Sequence, residues 1–283
     1  MRKQLQLGLV IEGKAVHSTI LNLPKISEEL GPIKSGALRV ARRLSHMLHA
    51  GYAVRDYEEL QVARLVLLHV PDCAVSRIVD ELCDSDLDFR QLAFVLCESW
   101  LTMDVLDPLL HRGASTATLT NVASLKKNWF AVEGQRPAIR QIRRFLDRNE
   151  ARCVEIRTNS KSLLFAAELL ATALPKPLLA AAEQALRTTG ITGNPLSALL
   201  DEMTKKMLND FKRGARVLRG GLLTECRPET AQVLLEHVRR EHSQIAQTLD
   251  EQLAWASRTM PEIDALRAGF SSHIGVAPSS STQ

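Results

Sequence analysis

Residues 31–36, with the sequence Gly-Pro-Ile-Lys-Ser-Gly, are of the types that hold phosphate groups in dinucleotide-binding proteins. That fingerprint places one glycine at a tight turn, a second where the backbone meets a pyrophosphate, and a third where a helix packs on a strand. Gly31 and Gly36 match the outer two positions, whereas Ile33 occupies the middle one, where its side chain would crowd the phosphates. We therefore expect weak dinucleotide binding at this turn, strengthened by the substitution Ile33→Gly.

Charged residues near this stretch match other parts of the fingerprint. Lys34, Ser35 and Gly36 would present a charge and backbone amides to an anion at the start of the next helix. Asp56 follows Gly36 by twenty residues, which is the spacing of the acidic residue that binds a ribose hydroxyl. Arg55 would instead suit the extra phosphate of NADP. These residues predict NADP or NAD as cofactor, although a solvated strand end is an equal interpretation of Arg55 and Asp56.

A second register stays open, in which Gly13 is the phosphate glycine. This register also lacks glycines at its flanking positions, which are Ile11 and Val16.

Histidines and cysteines give weaker signals. His69 ends a predicted buried strand and could donate a proton, although a core histidine with one satisfied partner is the commoner outcome. His46 and His49 have no carboxylate or cysteine partner in the sequence pattern, so no metal site is predicted. The five cysteines form no Cys-x-x-Cys pair, which argues against a zinc site or a disulfide framework.

The elements that position these residues change in type along the chain. Apolar runs alternate with amphipathic stretches to about residue 157, which predicts buried parallel strands joined by helices. The predicted strands are residues 5–11, 52–54, 63–70, 92–96, 114–119, 129–132 and 152–156. From residue 158 only helical patterns follow, so we predict an α/β fold: a Rossmann-like parallel sheet domain and then an all-α C-terminal domain.

The predicted domain limits follow from this change. Residues 1–157 form the dinucleotide-binding-type domain, with an irregular insertion at 14–30, and residues 158–270 form the helical domain. The polar residues 271–283 are predicted to be a disordered tail.

Composition bounds the function classes. The chain has 283 residues, 45% of them hydrophobic, and a net charge of +4 with acidic and basic residues mixed, so no nucleic-acid partner is predicted. No apolar run reaches about 18 residues, which predicts no membrane span and a cytoplasmic location. The apolar stretch 163–186 is predicted to be a buried helix or the interface of a homodimer.

Three motifs together resemble a known family. They are residues 67–72 (Leu-Leu-His-Val-Pro-Asp), residues 129–134 (Trp-Phe-Ala-Val-Glu-Gly), and a helix opened by Lys161 that contains residues 164–171 (Leu-Phe-Ala-Ala-Glu-Leu-Leu-Ala). The order resembles Rossmann-like proteins whose C-terminal half is called domain of unknown function 2520. Those proteins are relatives of pyrroline-5-carboxylate reductases and of 6-phosphogluconate dehydrogenase-type β-hydroxyacid dehydrogenases.

The resemblance implies roles for particular residues. Val70, Pro71 and Asp72 would lie against the nicotinamide half of the cofactor, and Lys161 would face the substrate. The chain departs from the family at residues 118–121, where Thr-Leu-Thr-Asn replaces the usual Ser-x-His-Pro. It also has Phe165 where the family has a histidine, and Ala173 near the position of a family asparagine.

Two functions remain open from the sequence. The first is an NAD(P)-dependent oxidoreductase acting on a small carbonyl, imine or hydroxy substrate at the domain cleft. Lys161 would anchor or protonate that substrate, and Thr118, Thr120 or Asn121 would hydrogen-bond it. The second is a catalytically inactive module on the same fold, which binds a nucleotide or a protein for regulation or assembly.

Overall fold

The computed structural model describes residues 7–13, 18–123, 128–213 and 228–259. The chain divides into two units, residues 1–169 and 170–283. The predicted boundary after residue 157 stays a prediction, and the predicted tail 271–283 lies outside the described residues.

The first unit is built on one sheet of eight strands in the order β3-β2-β1-β4-β5-β6-β7-β8. Neighbouring strands are parallel except for β6 and β7, which are antiparallel. The strands are β1 (Leu7–Ile11), β2 (Leu30–Ser35), β3 (Tyr52–Val54), β4 (Leu65–His69), β5 (Ala93–Cys97), β6 (Ser115–Ala123), β7 (Trp129–Gly134) and β8 (Arg152–Glu155).

Six helices belong to the first unit within the described residues, and four to the second. The first six are α1 (Ile26–Glu29), α2 (Leu38–Leu48), α3 (Val75–Cys83), α4 (Asp107–His111), α5 (Arg136–Arg148) and α6 (Lys161–Glu168). The others are α7 (Pro175–Thr188), α8 (Asn194–Lys212), α9 (Pro228–Glu241) and α10 (Ser243–Thr259). A π-helical segment, Leu169–Ala173, follows α6.

Two hydrophobic cores lie on opposite faces of the sheet. The segment around α1, together with α2 and α5, covers one face, and α3 and α4 cover the other. The strands β1 and β5 are buried along their whole length, as expected of parallel strands covered on both faces. This arrangement is Rossmann-like and confirms the predicted fold class.

The strand order creates a crevice. The strand β1 pairs with β2 on one side and with β4 on the other. The chain thus adds β2 and β3 on one side of β1 and then crosses over to add β4 on the other side. Ligands of open parallel sheets bind outside the carboxyl ends of the strands at such a switch point. The loops after β1, β4 and β5 and the end of β6 therefore border the expected ligand site.

The prediction of a phosphate turn at residues 31–36 was wrong. Leu30–Ser35 is the strand β2, and Ile33 is fully buried in the core. Between β1 and β2 the pairing advances from Leu7 and Leu30 to Leu9 and Ile33, so β2 carries one extra residue there. This bulge accommodates Pro32, which cannot donate to a regular ladder. The glycine and proline that suggested a turn belong to a bulged strand.

The second unit exposes many apolar side chains on its helices. Leu170 and Leu174 are 57% and 56% exposed, and Met207 and Phe211 of α8 are exposed as well. The stretch Lys161–Thr188 is long and apolar enough to cross a membrane, with a mean hydropathy of 1.5 over an 18-residue window. A helix packed in a protein interface passes the same test, so this is weak evidence for a membrane span.

Candidate functional site

A cavity of about 340 Å³ opens at the carboxyl ends of β4, β5 and β6. Polar side chains and one tryptophan surround it: Ser18, Thr19, His69, Glu98, Trp100, Thr120 and Asn121. We call this the substrate cavity. It lies at the edge of the sheet where the fold predicts a ligand.

Glu98 is the central group of the substrate cavity. It directly follows β5 and has a φ of 56°, a left-handed conformation that is uncommon for a residue with a side chain. Its Oε1 accepts hydrogen bonds from the backbone amides of Thr19, at 2.6 Å, and Ile20, at 3.2 Å. The carboxylate of Glu98 therefore occupies the kind of backbone site that an anionic ligand would use.

His69, the last residue of β4, lies beside this carboxylate. Its Nδ1 is 3.4 Å from Oε2 of Glu98, and the two atoms do not have the geometry of a hydrogen bond. Within the described part of the chain, this nitrogen has no hydrogen-bond partner. Burial lowers the pKa of His69, and the negative charge of Glu98 opposes that effect only in part. Burial thus favours the uncharged imidazole.

Lys161 opens α6 and is 2% exposed. Its Nζ donates a hydrogen bond to the backbone oxygen of Leu101 at 2.6 Å. Burial lowers the pKa of Lys161 from 10.5 to about 8, while the negative charges of Glu133 and Asp72 raise it and so limit the fall. A lysine in this state can both give and take a proton near neutral pH.

Glu133, near the end of β7, positions the start of α6. It is 1% exposed, and its Oε1 accepts a hydrogen bond from the backbone amide of Asn159 at 2.5 Å. Asn159 has a φ of 63°, which turns the chain towards Lys161. Sequence reasoning missed this role, although a glutamate that ends an otherwise apolar strand was a visible signal.

Ser99 connects three strands at the site. Its Oγ donates a hydrogen bond to Oδ1 of Asp72 at 2.6 Å. Its backbone oxygen accepts a hydrogen bond from Oγ1 of Thr120 at 3.1 Å. Asp72, after β4, and Thr120, in β6, are thus held on either side of the loop that follows β5.

The predicted substrate-contacting residues have different positions. Asn121 donates from Nδ2 to Oγ1 of Thr19 at 2.7 Å, at the wall of the substrate cavity. Thr118 is buried within β6, opposite Glu133, and does not line the substrate cavity. Lys161 does not line it either.

Trp100 connects the substrate cavity to α6. Its ring packs edge-on against Phe165 at 5.0 Å between ring centres. Phe165 lies one helical turn after Lys161 and therefore on the same face of α6.

Three of the predicted cofactor residues line a second cavity of about 300 Å³, at the carboxyl ends of β2 and β3. These are Lys34, Arg55 and Asp56. The ammonium of Lys34 lies 4.6 Å from the ring centre of Tyr57, whose hydroxyl donates to Glu81. We call this the adenosine-side cavity.

The remaining predicted cofactor residues are divided between the two edges of the sheet. Ser35 and Gly36 lie at the carboxyl end of β2, beside the crevice. Gly31 lies near the opposite end of β2. Its carbonyl oxygen would be 2.6 Å from a Cβ atom added to Gly51. The assignment of Gly31 to the phosphate site was therefore wrong, because β2 runs the length of the sheet between Gly31 and the crevice.

The turn after β4 touches the end of β1. A Cβ on Gly13 would lie 3.1 Å from Cγ of Pro71, so Gly13 keeps this approach open. Val70 is buried, and Asp72 begins a 3-10 turn directly after Pro71. The turn Val70-Pro71-Asp72 thus lies next to the crevice.

Glu12 places a second carboxylate between the ends of β1 and β2. A Cβ on Gly36 would lie 3.0 Å from Oε1 of Glu12, and Oε2 of Glu12 pairs with Arg77 of α3 at 2.5 Å. Arg77 also pairs with Glu81. The charge of Glu12 is therefore compensated within the protein.

The donors that could meet a dinucleotide lie at the two ends of the crevice. Lys34 and Arg55 offer positive charge at one end, in a cavity that the carboxylates of Asp56, Glu58, Glu81 and Asp84 also line. The hydroxyl and amide groups of the substrate cavity offer hydrogen bonds at the other end. Between them stand two carboxylates: that of Glu12, which is paired with Arg77, and that of Glu98, which occupies the amides of Thr19 and Ile20 and would repel a pyrophosphate. In the described residues, no group of three or more histidine, cysteine or acidic side chains could hold a metal ion.

The sequence model of the family called domain of unknown function 2520 matches residues 128–220. This match and the solved structures below confirm the resemblance seen in the motifs. No curated protein matches the sequence.

Solved structures with the same fold cover nearly the whole chain. A protein from Thermotoga maritima is 18% identical over 93% of this chain and 97% of its own, with a TM-score of 0.59. A variant imine reductase from Myxococcus stipitatus in complex with NAD⁺ is 13% identical over 94% and 99%, with a TM-score of 0.61. A reductive aminase from Aspergillus terreus in complex with NADPH and ethyl-5-oxohexanoate is 13% identical over 90% and 94%, with a TM-score of 0.62. At identities this low, the similarity shows a shared fold.

Proposed function

We propose that this protein is an NAD(P)-dependent oxidoreductase acting on a small carbonyl, imine or hydroxy substrate at the crevice. The observation that carries this proposal is the state of Lys161. A buried lysine with a pKa of about 8, held at the carboxyl ends of the strands beside two carboxylates, is a costly arrangement. Such perturbed groups concentrate at functional sites.

The chain's own groups divide the work. Lys161 does not line the substrate cavity, so in the proposed reaction its Nζ exchanges the hydrogen bond to the backbone oxygen of Leu101 for one to the substrate. It then gives a proton to the oxygen or nitrogen of the substrate in reduction and takes it back in oxidation. The negative charges of Glu133 and Asp72 keep a fraction of the Lys161 side chains protonated. Thr120 and Asn121 orient the substrate. When bound, the nicotinamide supplies or accepts the hydride.

The cofactor is NADP or NAD, with the adenosine end at the adenosine-side cavity. Lys34 and Arg55 favour the 2′-phosphate of NADP by charge and by the paired donors of a guanidinium. Asp56 favours the free ribose hydroxyl of NAD.

Activity assays with Lys161→Met test the proposal. We expect oxidation of NADPH or NADH by the wild type with members of a panel of small ketones, hydroxy acids and cyclic imines. The substitution should lower kcat by about 10²-fold or more. The exposed Lys176 provides the control, since Lys176→Met removes the same charge from a solvent-exposed side chain of the second unit. Equal activity of the wild type and Lys161→Met would refute the assigned role.

The second candidate is a catalytically inactive module that binds a nucleotide or a protein. The specific observation that favours it is the carboxylate of Glu98 on the amides of Thr19 and Ile20. In this alternative the internal carboxylate takes the place of an anionic group at these two amides, and a nucleotide binds through the other groups of the crevice. Absence of turnover with every member of the panel, despite saturable binding, would support it.

We also propose a cytoplasmic homodimer whose interface includes residues 163–186. Leu163, Leu170 and Leu174 are more than half exposed, and exposure of this much apolar surface is unfavourable in water. A two-fold contact would bury the same surface on both subunits. Among the described residues, this stretch also has the composition of a membrane span, and a protein interface explains that composition as well.

A further inference from the structure

One face of the sheet carries a surplus of positive charge. The two longer helices on this face, α2 and α5, contain three and five arginines, with Asp147 as their one acidic residue. The short helix α1 adds Glu28 and Glu29, and Glu29 pairs with Arg148 of α5. All eight arginines are exposed. By contrast, α3 on the other face mixes Arg77 with Asp80 and Glu81.

A cavity of about 500 Å³ lies along α5 within this basic face. Its lining consists of Arg136, Ile139, Arg140, Arg143 and Glu155. The three arginines follow one another by four and three residues, so their side chains lie on the same face of the helix. We call this the arginine cavity. It shares no lining residue with the substrate cavity or the adenosine-side cavity.

The charges of the arginine cavity are only partly compensated. Arg143 donates from Nη2 to Oε2 of Glu155 at 3.2 Å. Within the described residues, neither Arg136 nor Arg140 has a carboxylate at ion-pair distance. Three guanidiniums against one carboxylate leave two positive charges facing a common space. A surface that only needs to be soluble more often mixes the two signs of charge.

We propose that the arginine cavity binds a small molecule bearing one or two phosphate groups. Guanidinium groups bind phosphate through paired, charge-assisted hydrogen bonds, and two neighbouring arginines match one such group or two linked ones. The volume is within the range of about 300 to 1,000 Å³ typical of small-molecule sites. Ile139 offers the ligand an apolar contact. Glu155 bounds the positive region, which favours a compact anion over a long polyanion.

Calorimetry on the full chain tests the site, with inorganic pyrophosphate and glucose 6-phosphate as probes. The double substitution Arg136→Gln/Arg140→Gln should weaken binding of at least one probe by about tenfold or more, because it removes two charge-assisted hydrogen bonds to the phosphate. The matched control is Arg39→Gln/Arg42→Gln on α2, which removes the same charge from the same face but outside the cavity. That control should retain the wild-type affinity.

Three outcomes would overturn the proposal. The first is absence of saturable binding of either probe by the wild type at millimolar concentration. The second is an equal loss of affinity in both double variants, which would mean general attraction to a basic surface. The third is binding of heparin or duplex DNA much more tightly than either probe, which would identify a surface for long polyanions. Repeating the titration with saturating NADPH separates the sites, since binding at the arginine cavity should persist.

Discussion

Individual side chains were predictable where a local motif marked them. The turn Val70-Pro71-Asp72 and Lys161 stand out in the sequence, and the structure brings Asp72 and Lys161 to the same edge of the sheet. Glu98 could not be assigned its role, because its contacts with Thr19 and Ile20 join residues 79 and 78 positions apart. Such pairings depend on strand order, which local patterns do not encode.

The pH dependence of stability tests the state of Lys161. Its pKa is lower in the folded protein than its ordinary value of 10.5, so the unfolded chain binds more protons between about pH 8 and pH 10.5. The contribution of Lys161 to stability therefore rises with pH across this window, by about 3 kcal/mol. Denaturant titrations give the free energy of unfolding at pH 7 and pH 10.5. Between these two pH values the wild type should gain about 3 kcal/mol more than Lys161→Met. The exposed Lys176→Met should show the wild-type dependence, and an identical curve for Lys161→Met would contradict the account.

Glu98 should limit the affinity for dinucleotides. Substitution by glycine removes the carboxylate, frees the amides of Thr19 and Ile20, and relieves the left-handed backbone at this position. We expect Glu98→Gly to bind NADPH about tenfold more tightly, an effect of about 1.4 kcal/mol. Glu150 is a matched control, because it is exposed and has a φ of 58°. An equal gain in Glu150→Gly, or a loss in Glu98→Gly, would argue against competition by the carboxylate.

At the scale of elements, the strands were easier to predict than the connections between them. Continuous apolar runs identified β1 and β3 to β8 to within a few residues, since buried strands have few other compositions. The strand β2 was missed because Gly31 and Pro32 are turn residues in most contexts. Pairing with both β1 and β3, together with a bulge, overrides that local preference.

Ile33 now has a structural role and carries a different prediction. Its side chain is fully buried in the core beneath α2, so Ile33→Ala should lower the free energy of unfolding by about 2–5 kcal/mol. The earlier expectation that Ile33→Gly strengthens nucleotide binding is replaced, since that change should destabilise the sheet further. Val40 is an exposed apolar residue on α2, and Val40→Ala is the control. A loss no larger than that of the control would contradict the strand assignment.

At the scale of the whole molecule, the apolar helices point to a second copy of the chain. Leu163→Glu and Leu170→Glu would place charges on the proposed interface, where both side chains are exposed in the single chain at 72% and 57%. Light scattering at micromolar concentration should give twice the 31.4 kDa mass for the wild type and a smaller mass for the double variant. A wild-type mass near that of one chain would contradict the homodimer.

The central claim is that the crevice binds a nicotinamide dinucleotide despite its two carboxylates. Calorimetric titration of NADPH into the full chain tests it most directly. The account predicts saturable binding with one site per chain, weakened by about tenfold in Arg55→Ala through loss of one charge-assisted contact. Saturable binding unchanged by Arg55→Ala would place the nucleotide elsewhere, and heat no greater than that of dilution up to millimolar NADPH would contradict the claim itself.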